Sequence, residues 1–353
     1  KRKNPTMLMS KKFHKPFLDR VKDLFFSCKI FLQALFFVEI QKSTTALLIR
    51  QYMQATQLAS HYKFLNIKAF LDNSHLRPDY YSLAACFSDS VRIGYLKSCL
   101  NSVAHAGLQI EPVYFSWGKH DTSVLLGSGA ITRHMLISGC ILNDNCDQEA
   151  QNSAKDFALK LRSQGVRCVL SFFDSSFSPR NTYRKLLEWL VEDSHLGLLI
   201  KSKGNVWSNI EEDGLDGLVA RAIDTGRIHV LPTSASPADA AISSDFSIGY
   251  YSYSAIVVSA LKGARILFLD FERMREPQKS FCTLHSLGPN RCVFDDFDLL
   301  KRAIQEYIAN PKSNPALGDV TPVLDKFDPF RDGKAGDRIS EYISWYLEGL
   351  DKG

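Results

Sequence analysis

The amino-acid sequence predicts an α/β protein of two domains, each built on a parallel sheet with helices on both faces. Three observations lead to this prediction. The chain has 353 residues, about twice the length of an ordinary domain. From about residue 60, short apolar segments alternate with helical patterns, the order that βαβ units produce. These segments are apolar throughout, as expected of strands covered on both faces.

The predicted strands fall into two series, separated by a polar stretch near 143–153. The first series is 67–72, 91–95, 112–118 and 134–139. The second is 166–174, 195–203, 227–232, 245–250 and 265–270, with helices at 150–163, 182–193, 212–224 and 254–263. The second series is long enough for a complete Rossmann-like domain, whereas the first resembles only the later part of one.

This pattern divides the chain into four parts. We expect a basic, aromatic helical segment at 1–60, an N-terminal domain at 61–148, a C-terminal domain at 149–332 and a last helix at 333–353.

The positive charge of the chain is concentrated at its start. The formal net charge is +5, but residues 1–29 alone carry +7, so the remaining residues carry −2. A nearly neutral body argues against a dedicated nucleic-acid-binding protein, whose basic patch should extend through the folded domain. The apolar stretch Leu24–Ile40 is shorter than a membrane-spanning helix requires. It is either a helix buried against the body or a basic, aromatic helix on an anionic membrane surface.

The eight cysteines show no metal-binding spacing. The sequence has no C-x-x-C pair and no histidine at zinc-finger distance from a cysteine pair. Cys86, Cys168 and Cys292 lie in apolar, strand-like runs, where we expect buried, reduced thiols. This pattern indicates a reducing, cytosolic compartment.

The segment DFSIGYYSYSAIVVSALKG is the strongest candidate for a phosphate site. A predicted strand ends at Gly249 and a helix starts near Ser254, so free N–H groups and the positive end of the helix dipole face the loop between them. The alternative is an ordinary serine-capped helix. Neither G-x-G-x-x-G nor G-x-x-x-x-G-K-[ST] occurs in the sequence. Lys201 and Lys203 end another strand, either to meet a diphosphate or sugar carboxylate or as solvated loop lysines.

Short motifs in this order resemble those of GT-B glycosyltransferases, and most closely bacterial transferases of surface-polysaccharide assembly. In the second half these are FFDSS, LLIKSK, TGR, SPADAA, SSDFSIGYYSYSA and ALKGARILFLD. In the first half they are FLDNSHLRP, VRIGY, FSWGKHD and LISGC, and the ending KFDPFRDGKAGDRISEYISWYLEGL is also similar. The resemblance covers about residues 64–350. It implies a GT-B-like fold of two Rossmann-like domains facing a cleft, the N-terminal one incomplete.

The resemblance also implies an activity and a donor site. The C-terminal domain would hold a nucleotide-sugar, and the sugar would pass to a glycan or lipid-linked acceptor at the inner face of the cytoplasmic membrane. Lys201 and Lys203 would line the nucleotide. The diphosphate loop would comprise Gly249, Tyr250, Ser252, Ser254 and Ala255.

One departure from the family pattern affects the donor site. Many GT-B enzymes place a glutamate on the helix after the phosphate loop to bind ribose hydroxyls, but SAIVVSALKG contains none. Either Asp270 or Glu272 replaces it, or the donor is held differently.

The family resemblance implies no metal and no cofactor. Helix dipoles and cations stabilise the leaving phosphate in such enzymes. No D-x-D metal motif stands out, since FDDFD (294–298) begins a predicted helix, where acidic residues suit the dipole.

An inverting transfer requires a base that deprotonates the acceptor hydroxyl. The candidates follow predicted strands at the cleft edge: Asp72, His75, His120 and Asp121. Asp72 is the first choice, because it directly follows an apolar strand and burial beside a cleft is expected to raise its pKa. The alternative for each is a turn or a helix cap.

Several basic residues are candidates for the acceptor side of the cleft. Arg77 and Arg92 either bind an anionic acceptor or pair with Asp79 and Asp89. Around the start of the last predicted helix, 335–350, three basic residues either fix the interdomain cleft or meet the acceptor, or else cap the helix and form surface salt bridges: Arg331, Lys334 and Arg338.

Three functions remain open at this point. The first is glycosyl transfer in envelope-polysaccharide synthesis. The second is nucleotide-sugar epimerisation, which should show paired acid and base carboxylates around one sugar; no convincing pair is visible. The third is a non-catalytic glycan-binding or assembly module.

Overall fold

A computed structural model describes most of the chain from residue 42 onward. The described residues are 42–72, 80–101, 103, 109, 111–143, 148–174, 180–202, 215–250 and 253–351. The predictions for residues 1–41 and for His75, Arg77, Asp79, Lys203 and Ser252 lie outside them.

Within these residues the strands form two parallel sheets. The N-terminal sheet has the order β1-β2-β3-β4, with strands β1 (Ala69–Asp72), β2 (Val91–Tyr95), β3 (Val113–Ser116) and β4 (His134–Ile137). The C-terminal sheet has the order β10-β9-β8-β5-β6-β7, with strands β5 (Cys168–Phe173), β6 (Leu196–Lys201), β7 (Ile228–Val230), β8 (Phe246–Gly249), β9 (Arg265–Leu269) and β10 (Val293–Phe294). All nine predicted strands are confirmed, and β10 is an addition too short for its sequence to indicate.

Helices connect and cover the strands. They are α1 (Lys42–Phe64), α2 (Tyr80–Phe87), α3 (Lys119–Gly127), α4 (Gln148–Ser163), α5 (Arg180–Glu192), α6 (Asp216–Asp224), α7 (Pro237–Ala241), α8 (Tyr253–Leu261), α9 (Gln278–Phe281), α10 (Phe297–Ala309), α11 (Leu324–Phe327) and α12 (Ala335–Asp351). The acidic run FDDFD begins α10 as predicted, because the Asp296 carboxylate accepts the backbone N–H of Leu299 at 2.9 Å and caps the helix.

The apolar character of β5 follows from cover on both faces. Every residue of this strand is buried. Its alternate residues enter two different hydrophobic clusters: Val169 packs in the same cluster as Leu161 of α4, whereas Leu170 packs in that of Leu186 and Trp189 of α5. Because successive strand residues point to opposite faces, a strand between two helical layers needs an apolar residue at nearly every position.

The direction in which the chain builds the C-terminal sheet reverses between β5 and β8. From β5 the chain moves outward through β6 and β7, then returns to build β8, β9 and β10 on the other side. Helices therefore leave the carboxyl ends of β5 and β8 in opposite directions, the position where open α/β sheets bind ligands.

The last helix, α12, returns to the N-terminal sheet. Ile339 packs with Ile93, Val113 and Phe115, and Tyr342 lies edge-on to Phe115 with 5.4 Å between ring centroids. The helix predicted at 335–350 is thus confirmed, and it ties the end of the chain to the domain at its beginning.

One prediction about the cysteines is wrong. Cys86 lies on α2 and is exposed, because the apolar run around it forms a short helix rather than a buried strand. Cys168 and Cys292 are buried free thiols, as predicted. None of the described helices combines the length and apolar character that a membrane span needs.

Candidate functional site

A cavity of about 460 Å³ lies at the carboxyl ends of β8 and β9. Tyr250 follows β8, Asp270 follows β9, and Glu272 stands two residues further on. Asn101, from the segment after β2, lines the same cavity, so both halves of the chain contribute to it. Its volume is in the range of small-molecule sites. The structure therefore brings together three of the predicted donor-site residues.

Asp270 is held in the charged form by its neighbours. Its Oδ2 accepts the backbone N–H of Met274 at 2.8 Å and lies 3.4 Å from Nε2 of His285. Burial raises the pKa of this carboxyl, but the contacts with His285 and with the Met274 N–H outweigh burial, and the pKa falls below its usual value of 3.8. A carboxylate of this kind accepts hydrogen bonds from ligand hydroxyls.

Glu272 and Tyr250 form the neighbouring wall. The Tyr250 hydroxyl donates to Oε1 of Glu272 at 3.4 Å, and the Tyr250 ring lies 5.4 Å from that of Phe271. The Arg273 guanidinium also lines the cavity and contacts Asp295 at 2.9 Å, while Arg275 adds a second cation. The cavity thus offers carboxylates and guanidinium groups side by side.

Helix α8 begins at Tyr253, four residues after β8 ends at Gly249. The hydroxyl of Ser254, in its first turn, donates to the Cys99 carbonyl at 3.1 Å. That hydroxyl therefore joins the two domains in this structure. Ala255 follows it in the first turn of α8. The phosphate site at this N-terminus stays a prediction.

Lys201 lies at the carboxyl end of β6, and its ammonium group binds nearby backbone carbonyls. The Nζ atom donates to the carbonyls of Ser202 at 2.5 Å and Thr233 at 3.1 Å. The Ser202 hydroxyl in turn donates to Asp174, the residue after β5, at 3.0 Å. Lys201 is not among the described residues that line the cavity. Its role in donor binding stays a prediction.

His120 lies in the joint between the domains. Its Nδ1 is 2.8 Å from the hydroxyl of Thr283 and its Nε2 is 2.5 Å from the Leu100 carbonyl. A carbonyl only accepts, so Nε2 carries the hydrogen and the Thr283 hydroxyl donates to Nδ1 in the neutral ring. The ring also stands 4.9 Å from that of Phe327. Burial lowers the pKa of His120 to about 4.

Asp121, the next residue, is fully enclosed. Its Oδ1 accepts the Leu100 N–H at 3.0 Å and the Cys99 thiol also hydrogen-bonds the carboxyl, whereas Oδ2 has no nitrogen or oxygen partner among the described residues. Burial raises the pKa of this carboxyl to about 7. A raised carboxyl pKa is unusual in the first turn of a helix, where the dipole favours the charged form.

Asp72 lies at the same edge of the N-terminal sheet, two strands away from β3. It is buried and pairs with Gly94 of β2. Burial and, next, the charge of Glu111 raise the pKa of Tyr114, and the charge of Asp72 acts in the same direction. The candidate bases Asp72 and His120 are thus on one edge but are not gathered into one cluster.

The architecture is that of several solved structures. Neither a protein-family model nor a curated protein sequence matches the chain. S. aureus MnaA in complex with UDP matches with 15% identity and a TM-score of 0.58, over 84% of this chain and 81% of that one. The wall teichoic acid polymerase TagF with CDPG matches with 12% identity and a TM-score of 0.52, over 81% and 74%. A Listeria monocytogenes protein assigned as a UDP-N-acetylglucosamine 2-epimerase matches with 13% identity and a TM-score of 0.55, over 86% and 80%.

The chain has a GT-B-like fold. The fold resemblance expected from the sequence motifs is therefore confirmed.

In this GT-B-like fold, the segment before α12 and the first turn of α12 bind the segment that follows β4. Asp328 accepts the backbone N–H of Cys140 through Oδ2 at 3.0 Å, and Arg338 donates to the Ser138 carbonyl at 3.1 Å. Arg331, by contrast, pairs with Asp325 at 2.8 Å. Lys334 is exposed, and its backbone N–H donates to Asp332 at 3.1 Å.

Three residues of the cavity and the joint in this GT-B-like fold are not indicated by the sequence pattern. Asn101, Thr283 and Asp328 contribute to the cavity or the joint, yet none follows a predicted strand directly. The motif KFDPFRD contains Asp328 and was the available signal, since it stands where the chain crosses back to the N-terminal sheet.

Arg92, a candidate residue for binding an anionic acceptor, is buried. It pairs with Glu111 at 3.5 Å, rather than with the predicted Asp89, which contacts Lys63. The prediction of an Arg92–Asp89 pair is therefore wrong: Asp89 lies in the exposed turn before β2, whereas the Arg92 side chain points into the domain.

Proposed function

We propose that this chain is a glycosyltransferase that uses a nucleotide-sugar donor. The cavity between β8, β9 and Asn101 is the observation that carries the proposal. It combines two carboxylates, two arginines and a tyrosine at the carboxyl ends of adjacent parallel strands. Carboxylates suit sugar and ribose hydroxyls, and guanidinium groups suit phosphates.

This division of charge supports the following arrangement of the donor. Asp270 and Glu272 accept hydrogen bonds from the ribose hydroxyls, taking the role for which α8 provides no glutamate. The diphosphate faces the N-terminus of α8, next to Gly249 and Tyr250, where the helix dipole favours an anion. Two of the structures with this fold, MnaA with UDP and TagF with CDPG, support a nucleotide-containing ligand.

The acceptor approaches from the N-terminal domain, and Asp72 acts as the base. In an inverting transfer the acceptor oxygen bonds to the anomeric carbon as its proton passes to Asp72. The bond from that carbon to the diphosphate oxygen breaks, and the nucleoside diphosphate leaves with the electron pair. Charge on the leaving group is stabilised by the α8 N-terminus and by Arg273 and Arg275, so the reaction needs no metal. His120 is a poorer base, because both ring nitrogens are engaged in the joint.

The pathway and the class of acceptor follow from the sequence resemblance. We assign the reaction to bacterial envelope-polysaccharide synthesis, with a glycan or lipid-linked acceptor at the cytoplasmic face of the membrane. The +7 charge of residues 1–29 supports a peripheral contact with anionic lipid.

The test is nucleotide release from a panel of donors. The full chain is incubated with CMP-, UDP-, GDP- and dTDP-sugars, with and without glycan acceptors. We expect one nucleotide class to be released, faster with acceptor. Asp72→Asn should lower turnover and leave donor affinity unchanged. The exposed-site variant Asp156→Asn should change neither turnover nor donor affinity. No release across the whole panel would contradict the proposal.

Epimerisation of a nucleotide-sugar is the second candidate. The Listeria protein assigned as a UDP-N-acetylglucosamine 2-epimerase has one of the higher TM-scores, 0.55, which favours it. Proton NMR of the sugar separates the two activities. An epimerase converts the donor sugar without acceptor, whereas a transferase leaves its configuration at C2 unchanged.

A further inference from the structure

A cluster of three different metal-ligating side chains lies in the joint between the domains. Cys99 follows β2, and His120 and Asp121 stand in the first turn of α3, which follows β3. Their ligand atoms all lie within 4.8 Å of one another. The exposed fractions of the three residues are 5%, 3% and 0%. The cluster is separate from the cavity in which the donor is placed.

The donor set suits a zinc ion. A thiolate, an imidazole and a carboxylate are the three ligand types that Zn²⁺ takes from proteins. The thiol and the carboxyl each lose a proton when they bind, so the site as a whole is neutral. Neutrality matters here, because an uncompensated charge at this depth is strongly unfavourable.

Asp121 provides an independent indication of a missing ligand. The Cys99 thiol hydrogen-bonds this carboxyl and Oδ1 also accepts the Leu100 N–H, but Oδ2 is buried with no nitrogen or oxygen partner among the described residues. Buried polar atoms in folded proteins are nearly always satisfied, and an exception calls for an explanation such as an ion. A cation within reach of this oxygen supplies one.

Thr283 is placed to give His120 the supporting contact that a metal ligand requires. A metal-bound histidine donates its second ring N–H to a neighbouring group, which fixes the ring. The Thr283 hydroxyl both donates and accepts, so it also serves the tautomer in which Nδ1 carries the hydrogen. Nε2 then gives up its hydrogen bond to the Leu100 carbonyl, which lies 2.5 Å away and moves aside as the metal takes its place.

We propose that Cys99, His120 and Asp121 bind one zinc ion that fixes the joint between the two domains. Tetrahedral Zn²⁺ places its ligand atoms about 3.5 Å apart, so the side chains move inward by about 1 Å on binding. The ion connects the end of β2 to α3 and, through His120 and Thr283, to the C-terminal domain. Its role is structural and lies outside the transfer reaction.

The experiment measures binding of Zn²⁺ alone to the full chain after chelator treatment. We expect one equivalent to bind in competition with a chromophoric chelator. Co²⁺ in its place should give a thiolate-to-cobalt charge-transfer band. Cys99→Ser should abolish the band, and the exposed-thiol variant Cys86→Ser should keep it.

Two further variants keep the test decisive if Cys99→Ser fails to fold. Asp121→Asn preserves the side-chain shape and should lower Zn²⁺ affinity. Thr283→Val removes only the supporting contact and should lower it about 10–100-fold. Absence of tight binding, equal affinity in Cys99→Ser and Cys86→Ser, or a cobalt complex without the thiolate band would each overturn the proposal.

Discussion

The Nδ1 atom of His120 lies 2.8 Å from the hydroxyl oxygen of Thr283, and this contact links α3 of the N-terminal sheet to the C-terminal domain. The two residues are 163 positions apart in the sequence. Around them, the Ser254 hydroxyl donates to the Cys99 carbonyl, and the Asp328 carboxylate accepts the Cys140 N–H. The joint is thus made of side chains from one domain bonded to the backbone or side chains of the other.

Replacing Thr283 with valine should weaken this joint in the metal-free protein. The change keeps the shape of the side chain and leaves a buried imidazole nitrogen without a partner, which costs about 1–3 kcal/mol. Urea unfolding followed by intrinsic fluorescence measures the free energy of unfolding. The control is Ser286→Ala, on the exposed side of the same turn, which should change it by less than about 0.5 kcal/mol. Equal effects of both changes would contradict the assigned role of Thr283.

Gly118→Ala should also disrupt the joint, for a steric reason. A methyl group at Gly118 would collide with the backbone carbonyls of Lys326 and Phe327, which cannot move as a flexible side chain does. We expect a loss of about 1–3 kcal/mol in the free energy of unfolding. Gly217→Ala is the matched control, because no atom of the described residues lies within 4 Å of the added methyl group and α6 gains a better helix former. A Gly118 variant as stable as the Gly217 variant would show that the domains do not close on this residue.

Glu272→Gln should weaken donor binding in the cavity. The change keeps the side-chain size and removes the charge that strengthens hydrogen bonds from ligand hydroxyls, so affinity should fall about tenfold or more. Calorimetric titration with the nucleotide selected by the donor panel measures it. Glu306→Gln, exposed on α10, should leave the affinity unchanged. If the two variants bind equally well, the nucleotide does not occupy this cavity.

Asp270 should make stability depend on pH on the acid side. Its pKa in the folded protein lies below the usual 3.8, so near that pH the unfolded chain binds more protons than the folded one. Its contribution is therefore complete above the unfolded-state pKa of about 3.9 and is lost as the pH falls through the folded-state pKa.

Asp270→Asn tests this dependence. The difference in unfolding free energy between the parent and the variant should shrink as the pH is lowered from about 5 to about 3. The exposed-site variant Asp156→Asn should follow the parent curve throughout. A constant difference between the Asp270 variant and the parent would show that the carboxylate is not stabilised by His285 and Met274.

The sequence predicts much of the local structure, because strand and helix signals lie in short windows. β5 is recognisable from six apolar or small residues in succession, and α10 from the aspartates that cap it. The exception at Cys86 has a physical cause: a short apolar run fits a buried strand and a short helix equally well. Its helical state depends on packing against α1, where Ala55 and Ala59 meet Ala84 and Ala85.

The candidate site is only partly contained in the sequence. Asp270 and Glu272 follow an apolar strand, so their place at a carboxyl edge is predictable. The sequence does not show that β8 pairs with β5, nor that Asn101 joins the same cavity, because both depend on contacts between distant segments.

By itself, then, the sequence determined the α/β class, the parallel strands and which polar residues stand at their carboxyl edge. Tertiary structure alone decided which residues meet across the domains. Cys99 has no metal-binding neighbour within a few positions, yet it lies beside His120 and Asp121, because the carboxyl ends of parallel strands converge on one edge. Periodicity is a local property of the chain, whereas the distance between two strand ends is set by the packing of the whole domain.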